Sequence, residues 1–351
     1  MIHRPVGRLA RVGLALSLSA TALLAPASAF AEQDLTISAG SESRGGDVQL
    51  NQFLPGTVTI NVGDKVTWNL DSTEFHNVYF PGNTQARPEF IEPGAEGVFV
   101  NPAVAFPAGG QTYDGSGVAN SGLLSHGQNT TYTLAFTKAG TYQYLCSIHP
   151  GMEGTVRVVD NGQGVDTQAS VDARRTAQRD SELANKALPL IMANTGEQPT
   201  VGGGAGVAAG LERENNDVQR FLPERVTIHQ NESVTWVLKT EETPHTVTFL
   251  GGRAAPEVIV PQPQQGGPPR LQLNPEVLAP TNNNNEWNGA SYLNSGFLSP
   301  TPGQPEPEFT VVFSAAGTYD YLCLLHPGMV GTVEVLPPAA AQGDADAEQA
   351  Q

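Results

Sequence analysis

Short runs in which apolar and polar residues alternate recur along most of the chain. Residues 57–60 and Lys65–Leu70 place Val58, Ile60, Val66, Trp68 and Leu70 on one side, and the intervening Asn61-Val62-Gly63-Asp64 reads as a turn. A period of two predicts strands with one buried face. The same pattern returns at 225–228 and 233–238. It is interrupted in two places. Residues 160–199 are broadly polar, and 170–194 contain the one convincing helix former, around 180–190, which predicts a partly helical linker across 161–199. Residues 337–351 hold Ala, Gln, Asp and Glu with no aromatic side chain, the composition of a disordered tail.

The N-terminus follows another rule. His3, Arg4, Arg8 and Arg11 precede an apolar run over 12–24 and then small residues, which is the pattern of a signal peptide. The Ala29-Phe30-Ala31 triplet suits cleavage, with the mature start near Glu32 and Ala29 as the alternative cut. A membrane anchor is the other reading, but the run is too short to span a bilayer, and no later stretch is long and apolar enough. The expectation is an exported protein, periplasmic or extracellular, with no membrane span in the mature chain.

Comparing the chain with itself reveals its organisation. Phe53-Leu54-Pro55 returns as Phe221-Leu222-Pro223, Val66-Thr67-Trp68 as Val234-Thr235-Trp236, Asn120-Ser121-Gly122 as Asn294-Ser295-Gly296, and Ala139-Gly140-Thr141-Tyr142 as Ala316-Gly317-Thr318-Tyr319. A unit this long implies duplicated domains, since solenoid repeats are several times shorter. The expected domains are 32–160 and 200–336, each all-β with its own core, and the drift in spacing falls in loops.

Charge narrows the partners. Lys and Arg number 18 against 35 Asp and Glu, and removing the three arginines of residues 1–31 takes the net charge from −17 to −20. Nucleic acid is thereby excluded as a natural partner. An acidic surface suits either a basic partner or simple solubility.

The chain has two cysteines, at equivalent places in the two repeats. The first loop reads Cys146-Ser147-Ile148-His149-Pro150-Gly151-Met152 and the second Cys323-Leu324-Leu325-His326-Pro327-Gly328-Met329. Each is therefore Cys-x2-His-x2-Met, and one further histidine, His76 or His245, stands far upstream in each copy. A thiolate with two imidazoles forms a trigonal set that suits both oxidation states of copper, and a thioether supplies a weak axial contact. Zinc favours several thiolates or harder ligands and does not recruit methionine. In an exported protein a Cys146 to Cys323 disulfide is the default alternative. It leaves unexplained why His and Met follow both cysteines at one spacing, and why three of the four methionines are Met1, Met152 and Met329.

With these residues in view, each copy resembles a cupredoxin of the plastocyanin and amicyanin group. The ligand loop has amicyanin-like spacing, Gly154-Thr155-Val156 and Gly331-Thr332-Val333 follow the methionines, and His76-Asn77-Val78 is similar to the plastocyanin-type upstream ligand. The resemblance implies two tandem cupredoxin-like Greek-key β-sandwiches. It implies one type 1 copper per sandwich, held by His76, Cys146, His149 and Met152 and by His245, Cys323, His326 and Met329, and electron transfer to redox partner proteins. It also implies that His149 and His326 expose a ring edge through an apolar patch of Ile148, Pro150, Leu325 and Pro327. Residues 81–117 and 251–288 are long for a minimal member, and as inserted loops they are expected to decorate the sandwich or to lie over its copper end.

Two other function classes compete. Two such domains also form the chassis of copper nitrite reductases and small multicopper oxidases, which need additional histidines for a copper site between domains or subunits. Beyond His3 and the four candidate histidine ligands only His126 and His229 remain, neither in a His-x-His pair nor at equivalent positions. Copper storage calls for Met-rich or His-rich tracts, and the chain has none.

Overall fold

In the computed structural model, which describes residues 1–2, 32–84, 87–194, 204–281 and 286–338, the alternating runs form strands packed as two β-sandwiches. Residues 3–31, which hold most of the expected signal peptide, and residues 339–351 of the expected tail lie outside the described residues. In Lys65–Leu70 every second residue is buried, and Glu153–Val159 repeats the alternation, as expected for strands with one face on a core. One layer of the first sandwich holds Asp34–Glu42, Val48–Leu54, Lys65–Leu70 and Thr131–Phe136; the other holds Thr57–Asn61, Glu153–Val159, Gly140–Leu145, Tyr79–Phe80 and Ala119–Ser121. The pairings of Asp34–Glu42 with Lys65–Leu70 and of Glu153–Val159 with Thr57–Asn61 are parallel. In the second sandwich the equivalent pairings, Ala205–Arg213 with Ser233–Lys239 and Arg225–His229 with Val330–Leu336, are parallel as well.

The duplicated sequence gives duplicated cores. Trp68 meets Tyr144 edge-on at 5.2 Å between ring centroids, and Trp236 meets Tyr321 in the same way at 5.1 Å. Phe53, Phe80 and Phe136 surround the first pair, and Phe221, Phe249 and Phe313 the second. Such aromatic pairs add about 0.5–1.5 kcal/mol beyond the area that they bury.

The two sandwiches share a sheet. Val48–Leu54 runs antiparallel to Asn216–Leu222, pairing Val48 with Val218, Gln49 with Asp217 and Leu50 with Asn216, and this joins strands of both halves into one ten-stranded sheet. Matching bonds flank the junction: Asn51 N donates to Asn215 O at 2.8 Å, and Gln219 N to Asp47 O at 2.9 Å.

The segment between the repeats is a docked helix, longer than the 180–190 expected from sequence. It runs through Gln168–Glu182, a π-helical turn at Leu183–Ala187 and Leu188–Asn194. Thr167 and Ser170 form a capping box at its start, which satisfies amide groups that a helix end leaves free. Pro189 lacks the N–H that would return to Asn185, and the helix widens to the π turn just before it. Gln168 pairs with both the N–H and the C=O of Thr36. Ala187, Leu183, Leu190 and Ile191 pack over the shared sheet against Val48, Leu50, Val218 and Leu222.

The inserted loops do more than the decoration expected of them. Ile91–Gly94 with Gly97–Val100, and Ile259–Gln262 with Arg270–Leu273, form two hairpins that meet at Gln272 and Phe99 in a four-stranded sheet bridging the halves. The Arg270 guanidinium lies 3.5 Å over the Phe99 ring and 3.8 Å from Glu92, and Gln272 Nε2 donates to Glu96 O at 2.8 Å. These loops carry apolar residues of their own, among them Val100 and Leu273, and pairing hairpin to hairpin buries them.

Candidate metal centres

Each upstream histidine enters its site through a single antiparallel bridge, His76 to Leu124 and His245 to Leu298. The room for its ring is made by a glycine. Gly40 and Gly210 sit at register shifts in their strands, with φ of +73° and +71°, and a Cβ on either would lie 2.2 Å from the Nε2 of His76 or His245. Only glycine satisfies both the left-handed backbone and the close approach.

The other residues of each cluster come from the loop after the strands Gly140–Leu145 and Gly317–Leu322. Cys146 N donates to Met152 O at 2.9 Å and Met152 N to His149 O at 3.2 Å, and the second loop repeats both bonds at the same lengths from Cys323 N and Met329 N. These turns bring together His76, Cys146 and His149 in the first half and His245, Cys323 and His326 in the second, with the ligand atoms of each trio within 4.8 Å of one another. Cys146 Sγ is 3.9 Å from His76 Nδ1 and 3.6 Å from His149 Nδ1; Cys323 Sγ is 3.8 Å from His245 Nδ1 and 3.4 Å from His326 Nδ1. Both cysteines are buried and free, so no disulfide joins them. Met152 and Met329 are buried in the same cores as the cysteines.

Side chains beside the upstream histidines fix the ligand loops. Asn77 Oδ1 accepts from Ser147 N at 2.6 Å, and Thr246 Oγ1 accepts from Leu324 N at 2.8 Å. Behind them, Asn120 Nδ2 donates to Ala103 O and Phe106 O, and Asn294 Nδ2 to Glu276 O and Val277 O. The repeated asparagines thus tie the core to the one-turn helices Pro102–Ala105 and Pro275–Leu278 of the inserts. Side chains tied down in this way keep the geometry of each cluster fixed.

The two centres differ in what surrounds them. In the first, Ser72 Oγ lies 2.9 Å from His76 Nε2, and Arg87 donates to Ser147 O at 3.2 Å. Burial, joined by His149, holds the His76 imidazole well below its usual range, burial lowers His149 to about 4, and burial raises the Cys146 thiol. In the second, Asp217 Oδ1 is 3.7 Å from His245 Nε2, and Glu74 Oε1, which comes from the first repeat, is 3.9 Å from His326 Nε2. Gln219 Nε2 donates to both carboxylates, at 2.6 Å to Glu74 and 3.1 Å to Asp217. Burial opposes charge here too, but Glu74 and Cys323 outweigh it and lift His326 to about 10, and His326 and His245 together depress the Cys323 thiol.

His326 is only 3% exposed, so the exposed ring edge expected of it is absent. The first repeat covers it through Glu74, a contact between residues 252 apart that no local pattern announces. His149 keeps partial exposure. Sequence reasoning also passed over Ser72, Asp217, Gln219, Gly40 and Gly210. For the glycines a signal existed, since Ala39-Gly40 and Ala209-Gly210 interrupt otherwise alternating strands at equivalent places. His126 is exposed, with Nε2 2.8 Å from Ser72 O, and His229 lies 3.7 Å from Glu232. Neither joins a candidate metal cluster among the described residues.

Two imidazoles and a buried thiol converging in each β-sandwich form a candidate site for a single soft metal ion. The donor set matches the trigonal plane that copper takes with such ligands. Residues 40–159 match the family model of copper-binding proteins of the plastocyanin/azurin family. The chain is 33% identical over 132 residues to the plastocyanin of Scenedesmus fuscus, covering 36% of this chain and 99% of that one. To the chloroplastic plastocyanin of Tetradesmus obliquus it is 30% identical over 122 residues, 33% of this chain and 63% of that one. To amicyanin-alpha of Methylorubrum extorquens it is 29% identical over 142 residues, 40% of this chain and 90% of the relative. The solved amicyanin of Paracoccus versutus aligns with 39% of this chain and 85% of its own, at 20% identity and a TM-score of 0.23. The chain belongs to the plastocyanin/azurin family of copper-binding proteins.

Proposed function

We propose that the protein carries electrons through two type 1 copper centres, one in each sandwich, with Met152 and Met329 as axial ligands. The observation that supports this most is the repeated trio of His76, Cys146 and His149 and of His245, Cys323 and His326, each with both Nδ1 atoms turned to the thiol. Copper, when bound, supplies one-electron chemistry between Cu(II) and Cu(I). The chain's part is to hold the ligands still and to exclude water, and the buried cysteines and methionines do both.

The partly exposed residue His149, flanked by Ile148 and Pro150, is the surface for exchange with partner proteins. A copper enzyme between subunits would have to recruit His126 and His229, and His229 is already beside Glu232; the carrier reading leaves both unused. Residues 1–31 support export. Among the described residues no helix is long and apolar enough to cross a membrane.

Copper loading of the purified protein tests the reading. Two coppers per chain and an intense blue or green band, bleached reversibly by ascorbate, are expected. A colourless protein that takes up no copper overturns it.

A further inference from the structure

The surroundings of the two centres differ in charge where their ligands are alike, and this difference predicts a difference in function. We infer that Glu74 and Asp217 hold the second copper centre at a lower reduction potential than the first, Glu74 acting from the other half of the molecule. The inference rests on the copper reading above.

A copper site gains one positive charge when it is oxidised. A nearby carboxylate favours the oxidised form and lowers the potential, and burial keeps water and salt from screening the effect. At the second centre both imidazoles have their outer nitrogen near a carboxylate: Asp217 Oδ1 at 3.7 Å from His245, and Glu74 Oε1 at 3.9 Å from His326. The Asp217 side chain is fully buried, and that of Glu74 is 11% exposed. Gln219 donates to each and so fixes the pair beside the imidazoles.

Among the described residues the first centre has no equivalent pair of carboxylates. His76 Nε2 meets the neutral hydroxyl of Ser72, and the repeat position of Asp217 is occupied by Gln49. Arg87, bonded to Ser147 O beside Cys146, brings a positive charge that acts in the opposite sense. Asp217 also reaches His149 electrostatically, but at longer range than its contact with His245. The backbone N–H of Asn77 and of Thr246 each reaches the thiol in its own half, so that contribution cancels.

The test is a redox titration followed in the visible thiolate-to-copper band. Wild-type protein should titrate in two one-electron waves, and Cys146→Ser should keep the lower one while Cys323→Ser keeps the higher. Glu74→Gln and Asp217→Asn preserve shape and remove charge. Each should raise the lower wave, and Glu74→Gln should leave the higher wave in place. Band position reports whether the variant site is intact, so a shift with an unchanged band is electrostatic. Equal potentials, a reversed order, or a lower wave indifferent to both substitutions overturns the inference and leaves the copper reading standing. Absence of copper uptake in wild type and in both single-cysteine variants overturns the reading and the inference together.

Discussion

The two halves repeat each other closely in their ligand loops and diverge in what touches the ligands from outside. Loop hydrogen bonds at Cys146 and Cys323 have the same lengths, and the Trp68–Tyr144 and Trp236–Tyr321 pairs differ by 0.1 Å. Yet the first centre is flanked by a hydroxyl and an arginine, and the second by two carboxylates. Packing constrains the interior, because a misfitting core residue costs stability at once. The surroundings of the ligands are set by whatever the other half presents, and they can change without disturbing the core.

The strongest way to break the comparison is to remove one thiol. Cys146→Ser should abolish one charge-transfer band and leave the site at Cys323 coloured, and Cys323→Ser should do the reverse; loss of all colour from either single variant would show that the centres are not separate. Next in size is the shared sheet. Leu50 is fully buried at the junction, so Leu50→Ala should cost about 2–5 kcal/mol. Because the sheet is common to both halves, thermal unfolding should remain one transition at a lower temperature. Two transitions with one unmoved would mean that the halves are stable independently.

Gly210→Ala sharpens the comparison on one side only. Its Cβ would strike His245 Nε2 and sit at left-handed φ, a strain of about 1–3 kcal/mol. Copper titration should then show weakened uptake at the second centre with the first unchanged, and equal weakening of both would count against a local effect. The smallest effect belongs to the insert bridge. Arg270→Ala removes a partly exposed cation over Phe99, worth about 0.5–1 kcal/mol. Amide exchange should quicken in Gly97–Val100 and Arg270–Leu273 while the cores stay protected.

Sequence made the two clusters of histidine and cysteine and most strands legible for a physical reason. Strand alternation reflects a two-sided layer, and the Cys-x2-His-x2-Met spacing is confined to one loop, so both signals are local. What joins the halves is not. The pairing of Val48–Leu54 with Asn216–Leu222 uses residues whose pattern suits any half-buried strand, and Gln272 meets Phe99 across loops with no periodicity. The linker helix begins at Gln168 because Thr167 caps it and Val171 reaches the first core. Its first turns are too polar to announce a helix by themselves. Glu74 stands in a loop that would pass for solvated surface, until the second half folds over it.

Gln49 and Asp217 are both repeat equivalents and register partners, facing each other at the centre of the junction. In an assembly of two identical chains with this symmetry, any residue at that place would oppose its own copy. An aspartate there would bury two like charges side by side, which is strongly unfavourable. Covalent duplication lifts that restriction. Once the two positions are encoded separately, one can carry a charge while the other stays neutral, and an assembly with two equal ends acquires a direction.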